Sequence, residues 1–183
     1  MSDPVVVEVA IDAPAARVWQ AFRDPVELRR WHGWEYDAIE AEIQQIYFDD
    51  VTASEPDLTL DTHGAGRFEL EPRGEATVVR VVRAAPDGAA GWDGIYDEIN
   101  EGWRSFVEQL RFYLERHAGE ERRTLFIERE VDPPAGEEWF SAAHQRGVVA
   151  DPSTLVIVAR EKTIVSAYGI DEEAFAALRE RFG

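Results

Sequence analysis

From Asn100 to His117 the chain reads NEGWRSFVEQLRFYLERH, and no other stretch limits the fold so strongly. Trp103, Phe106, Leu110 and Leu114, preceded by Ile95 and Ile99, recur at steps of three or four. That is the period of a helix with one apolar face. The spacing predicts a single long helix from near Asp93 to about Ala118, whose apolar stripe must be covered by something large. Gly102 interrupts the pattern one residue before Trp103, although glycine costs a helix about 1 kcal/mol relative to alanine.

The segments before this helix supply candidate covers. DPVVVEVAID alternates, with Val5, Val7, Val9 and Ile11 on one face, and reads as a half-buried strand. Two short helices follow. In DAPAARVWQAF, Asp12 or Ala13 caps and Pro14 suits the first turn. In DPVELRRW, Asp24 caps, Pro25 opens the helix and Glu27 completes a pattern like a capping box. DLTLDTH, RFELEP and ATVVRVVRA read as short strands separated by turns. Tyr36 to Phe48 is ambiguous; strand is the favoured reading over Ile43 to Phe48. Ala84 to Gly91 reads as a loop.

The last third has a different layout. RRTLFIEREV reads as a strand, EEWFSAAHQRG as a helix with Trp139, Phe140 and Ala143 inward, and TLVIVARE with KTIVSAYGI as a hairpin. DEEAFAALRERF reads as a helix capped by Asp171, with acids in its first turn and arginines in its last. The expected division is a domain over residues 1–118 and a C-terminal αβ extension over 119–183, ordered strand, helix, hairpin, helix.

The order strand, two short helices, antiparallel strands, long helix is that of the helix-grip α+β fold. Ile11, Ala13, Pro14, Val18, Trp19, Ala21, Asp24, Pro25, Leu28 and Trp31 resemble an opening motif. That motif belongs to the heat-shock-protein ATPase activator homologue-like branch of the SRPBCC (START, birch-pollen-allergen-like) superfamily. Gly102, Trp103, Leu110, Tyr113 and Leu114 resemble the same branch's closing helix. The two motifs bracket residues 5 to 116. The resemblance implies a curved sheet wrapped around the long helix, with a cavity between them under the two short helices. The stretch between Trp31 and the long helix is short for this family and lacks its usual Gly-Gly turn. That leaves room for one trimmed hairpin.

Composition narrows the functions. The net charge of −18 over 183 residues opposes phosphate backbones and anionic membrane surfaces, so neither nucleic acid nor membrane is expected as a partner. The absence of cysteine removes disulfides and thiolate chemistry and suits a cytoplasmic location. The apolar runs VVV and TLVIV are far below the ~20 residues of a membrane span. The N-terminus shows no basic region of a signal peptide. His32, His63, His117 and His144 have no metal-ligand spacing, and a surface or capping role is expected for each, so neither metal nor cofactor is expected. HGAGRFE reads as a hairpin turn, not a nucleotide loop, and no serine sits in a nucleophile elbow.

An aromatic-rich interior remains. Trp31, Trp34 and Tyr36, in WHGWEY, lie where the family's roof meets its second strand; Tyr47, Arg67 and Trp103 can converge on the same space. Trp103 either walls the cavity or fills it, and Arg67 either anchors an acidic group or ends a strand in solvent. The favoured function is binding of a small apolar or amphipathic ligand between sheet and long helix. The alternatives are an enzyme of the polyketide cyclase or hydrolase kind, for which no catalytic residue stands out, and a co-chaperone-like interaction module. A homodimer is a further option if the outer face of the C-terminal hairpin is uncovered.

Overall fold

The computed structural model describes residues 3–85 and 92–183, and most of the loop expected over Ala84 to Gly91 lies outside them. The fold is α+β, of the helix-grip kind. Strand β1 (Val5–Ile11) leads into helices α1 (Ala15–Arg23) and α2 (Pro25–Arg29). Helix α3 (Ile39–Gln44) follows, then strands β2 (Thr52–Ser54), β3 (Thr59–Asp61), β4 (Arg67–Arg73) and β5 (Ala76–Val82). These strands form an antiparallel sheet in the order β1-β5-β4-β3-β2. Closing the chain back onto its first strand is what lets this sheet grip helix α4 (Trp92–Arg116).

Strands β6 (Arg122–Ile127), β7 (Glu137–Ala142), β8 (Gln145–Asp151), β9 (Thr154–Ala159) and β10 (Lys162–Tyr168) make a second antiparallel sheet, ordered β6-β10-β9-β8-β7. Helix α5 (Glu172–Phe182) ends the described chain. The second sheet is buried on both faces, so its central strands read as nearly continuous apolar runs. Leu155, Ile157 and Tyr168 belong to the main core together with Val107, Leu110 and Phe112 of α4. Val156, Val158, Val165 and Ala167 point the other way and pack with Phe175, Leu178 and Phe182 of α5. The outer face of the C-terminal hairpin is therefore covered by α5. The Asp171 carboxylate caps that helix by accepting from the Ala174 amide, as its sequence predicts.

Two local expectations are overturned. Ile43 to Phe48 is not a strand. Ile39, Ile43 and Tyr47 recur every four residues on a buried face, first in α3 and then in a π-helical turn over Gln45–Asp49. Nor is EEWFSAAHQRG a helix: it forms β7 and the start of β8. The register shifts between Glu138 and Phe140, which breaks the strict alternation that would have marked a strand. Phe140 lies across from Gly147, where a Cβ would come within 2.5 Å of the ring, so only glycine admits this approach.

The expected caps hold only in part: Asp24 accepts from the Val26 amide, but Glu27 closes no capping box, since the Asp24 amide donates to the Gln20 carbonyl, and α1 is preceded by Pro14 with no side-chain cap from Asp12. Glu27 has another role. Its carboxylate accepts from Arg17 Nη2 at 2.8 Å and from the Tyr113 hydroxyl at 3.0 Å, tying α2 to α1 and α4 beneath the surface. No described helix is long and apolar enough to cross a membrane.

Candidate functional site

Beyond α2 the chain runs through Trp31, His32 and Gly33, and the site is built on these three residues. Trp31 is fully buried; its indole N–H donates to the Ala21 carbonyl at 2.9 Å and its ring meets Phe22 edge-on at 5.1 Å. Gly33 adopts φ +54°, which an L side chain resists, and turns the chain toward Trp34. This loop is gripped from behind. The guanidinium of Arg122 in β6 donates to the carbonyls of Arg29 (3.1 Å), His32 (2.6 Å) and Gly33 (3.1 Å). Gln109 of α4 donates to the carbonyls of Trp31 (2.8 Å) and Gly33 (3.0 Å). Burial pulls the Arg122 guanidinium below its ordinary value. Carbonyl oxygens are its compensation for lost water.

With the backbone fixed, His32 has one direction to point. Its imidazole has no exposed surface, so the surface or capping role expected for it does not hold. His117 is buried as well, with Nε2 at 3.0 Å from the Pro152 carbonyl. The rings of Phe106 and Trp103 lie at centroid distances of 5.0 and 5.9 Å from His32. Nδ1 is 2.9 Å from the Tyr47 hydroxyl and Nε2 is 2.7 Å from Glu42 Oε1. An ionised carboxylate only accepts, so Nε2 carries the hydrogen and Nδ1 accepts from Tyr47. Burial lowers the affinity of His32 for a proton and outweighs the pull of Glu42, so the ring is neutral. Glu42 is held below the usual carboxylate range, chiefly by the bond from His32, and its other oxygen accepts from the Tyr36 hydroxyl. Burial and that bond push Tyr36 up to about 12, and burial raises Tyr47 as well.

His32 and Glu42 border a cavity of about 630 Å³ between α4 and the second sheet. Trp34 and Phe126 stack nearly parallel, 4.0 Å apart, on one part of its wall. Ile99, Trp103 and Phe106 come from α4; Ile157 and Ile164 come from β9 and β10. Gly102 also lines it, and a Cβ built there would meet nothing within 4 Å. Gly102 therefore does not admit a close neighbour; its missing side chain leaves room in the cavity. Among the described residues no three His, Cys, Asp or Glu are grouped as a metal site requires.

The residues singled out from the sequence are only partly brought together. Trp34 and Trp103 line the cavity. Tyr36 packs beside Trp34 at 6.2 Å and bonds Glu42. Tyr47 stands behind His32, and Trp31 is embedded in the core. Arg67 borders a separate polar hollow of about 330 Å³ with Asp61, His63 and Arg83, and pairs with Glu69 at 2.8 Å. Trp103 also packs edge-on against Phe68 of the first sheet at 5.2 Å. It thus fills the space on that side and walls the cavity on the other. His32, Glu42, Phe106 and Phe126 were missed. Reading Ile39, Ile43 and Tyr47 as a helical stripe would have placed Glu42 on its border.

No family model and no curated protein matches this chain. Among solved structures, DynU16, a protein of the dynemicin biosynthetic locus, is similar at 17% identity with a TM-score of 0.40, covering 96% of this chain and 92% of that one. The di-domain ARO/CYC protein BexL of the BE-7585A biosynthetic pathway is similar at 11% identity with a TM-score of 0.41, covering 100% and 90%. Likeness at this level says nothing of ligand or reaction.

Proposed function

We propose that the protein binds a small apolar or amphipathic molecule in the cavity between α4 and the second sheet. One observation carries this reading: a cavity of about 630 Å³ walled by aromatic and aliphatic side chains, with the His32–Glu42 pair on its border. Apolar walls with a few fixed polar groups are the usual form of a small-molecule site. The opening and closing motifs support placing the chain in the SRPBCC superfamily, but the cavity lies on the flank of the long helix that faces the second sheet, so the reading rests on the cavity itself and not on the resemblance.

Binding is favoured over catalysis by the state of the polar groups. Both imidazole nitrogens of His32 are already bonded, and Glu42 is stabilised as an anion by two donors. Neither is poised to exchange a proton near neutral pH. What the pair offers is a fixed anchor.

A neutral solvatochromic dye, Nile red, tests the reading. Wild-type protein is expected to bind it with a blue-shifted, enhanced emission. Gly102→Phe, which fills the cavity from a helical position with open space around it, is expected to abolish the signal while circular dichroism stays unchanged. Equal dye binding by both proteins, or by neither, would overturn the proposal.

A further inference from the structure

The composition of the cavity wall specifies more than an apolar guest. Glu42, Glu98, Glu101 and Glu161 line it. The cationic side chains there are Arg160 and Lys162, and Arg160 is taken up by Glu101, with Nε 2.9 Å from Oε2. Glu42 has no arginine or lysine partner among the described residues. Its partners are a desolvated imidazole and a phenol, neither of which cancels its charge. Trp34, Trp103 and Phe106 present rings along the same cavity. Gln145 lines it too; it is 4% exposed, and its Oε1 has no hydrogen-bond partner among the described residues, while its Nε2 donates to the Glu101 carbonyl and Ser105. The free polar capacity of Glu42 and Gln145 is thus for accepting hydrogen bonds, not donating them.

Resting on the small-molecule reading above, we infer that the cavity selects an apolar or aromatic molecule bearing a protonated amine, with Glu42 as its counter-charge. Three features converge on that class. An uncancelled carboxylate in a partly desolvated wall attracts a cation more strongly than one in water. Aromatic faces add cation–π attraction. The one buried acceptor among the lining residues that lacks a donor, Gln145 Oε1, is satisfied by an N–H group and left stranded by an anionic or donor-free guest.

Isothermal titration calorimetry with naphthylmethylamine, naphthylmethanol and naphthoate separates the charge from the shape. The amine is expected to bind about tenfold tighter than the alcohol, the difference of one charge-assisted hydrogen bond, and the carboxylate weakest. Glu42→Gln is expected to bring amine and alcohol to within about twofold of each other, as loss of that bond requires. An unchanged circular dichroism spectrum shows that the variant is folded. If the alcohol binds wild-type protein as tightly as the amine, or if the amine's advantage survives in Glu42→Gln, the inference fails while the small-molecule reading stands. If none of the three binds, the small-molecule reading fails, and this inference with it.

Discussion

Helix α4 has two unlike flanks. Toward the first sheet its neighbours are rings in contact: Phe22 lies 5.1 Å from Trp31 and 5.0 Å from Phe68, Tyr47 stacks on Phe68 at 6.0 Å, and Phe68 meets Trp103 at 5.2 Å. Toward the second sheet the same helix, near Gly102, faces about 630 Å³ of open space. Both flanks are aromatic, so hydrophobicity does not distinguish them. Volume does. Trp103 closes the first flank, and the absent side chain of Gly102 keeps the second open. The helix-grip cavity expected between α4 and the first sheet has been packed shut, and a cavity has formed on the opposite side, walled by strands that the resemblance did not include.

Substitutions can break this contrast. The largest effect is expected on the closed flank. Phe68→Ala removes a fully buried ring packed against Phe22, Tyr47 and Trp103, and should cost about 3–5 kcal/mol in urea unfolding. Ile164→Ala, on the open flank, should cost less than about 2 kcal/mol, because the cavity already borders that side chain. Equal costs would mean that the open flank is as tightly packed as the other. Gly102→Ala should stabilise the protein by about 0.5–1 kcal/mol, since alanine is the better helix former and its methyl meets nothing within 4 Å. A loss of stability would show that the space near Gly102 is occupied.

The finest test concerns His32, which stands where the two flanks meet. Burial lowers its proton affinity, so the folded imidazole should remain neutral at pH 6.5, where an ordinary one is half protonated. Its ¹⁵N shifts should report a hydrogen on Nε2 and none on Nδ1. The sign for stability follows. The unfolded imidazole takes up a proton as pH falls through about 6.5 and the folded one does so only lower, so this residue's contribution to stability declines as pH falls through that window. A His32 resonance that titrates at the ordinary value would remove the neutral anchor on which the charge of Glu42 depends.

How much of this was legible in the sequence depended on period and on distance along the chain. The long helix, the first strand, the paired short helices and α5 were readable because their signals are local: a repeat of three or four, or a cap such as Asp24 or Asp171. Tyr36 to Phe48 was misread because Ile43, Ile46, Tyr47 and Phe48 are β-branched or aromatic and suit a strand, while the four-residue repeat of Ile39, Ile43 and Tyr47 that marks the helical face is only two turns long. The β7 segment was misread because a bulge disturbs its alternation. The site was the least legible part. A lone histidine carries no signal of burial, and Glu42 gains its role only through contact with residue 32. Phe126 enters the wall through a strand pairing that no local pattern announces.

Arg122 has a consequence in time. The loop that carries His32 is fixed by a guanidinium 90 residues further along the chain. During synthesis at roughly 5–20 residues per second, about 5–20 s separate the emergence of the histidine from that of the arginine. The first sheet has its strands before then, and Gln109 can reach the carbonyls of Trp31 and Gly33, but those of Arg29 and His32 must rely on water until β6 arrives. The cavity and the His32 loop beside it are therefore late products of folding, completed by the half of the chain that is made last.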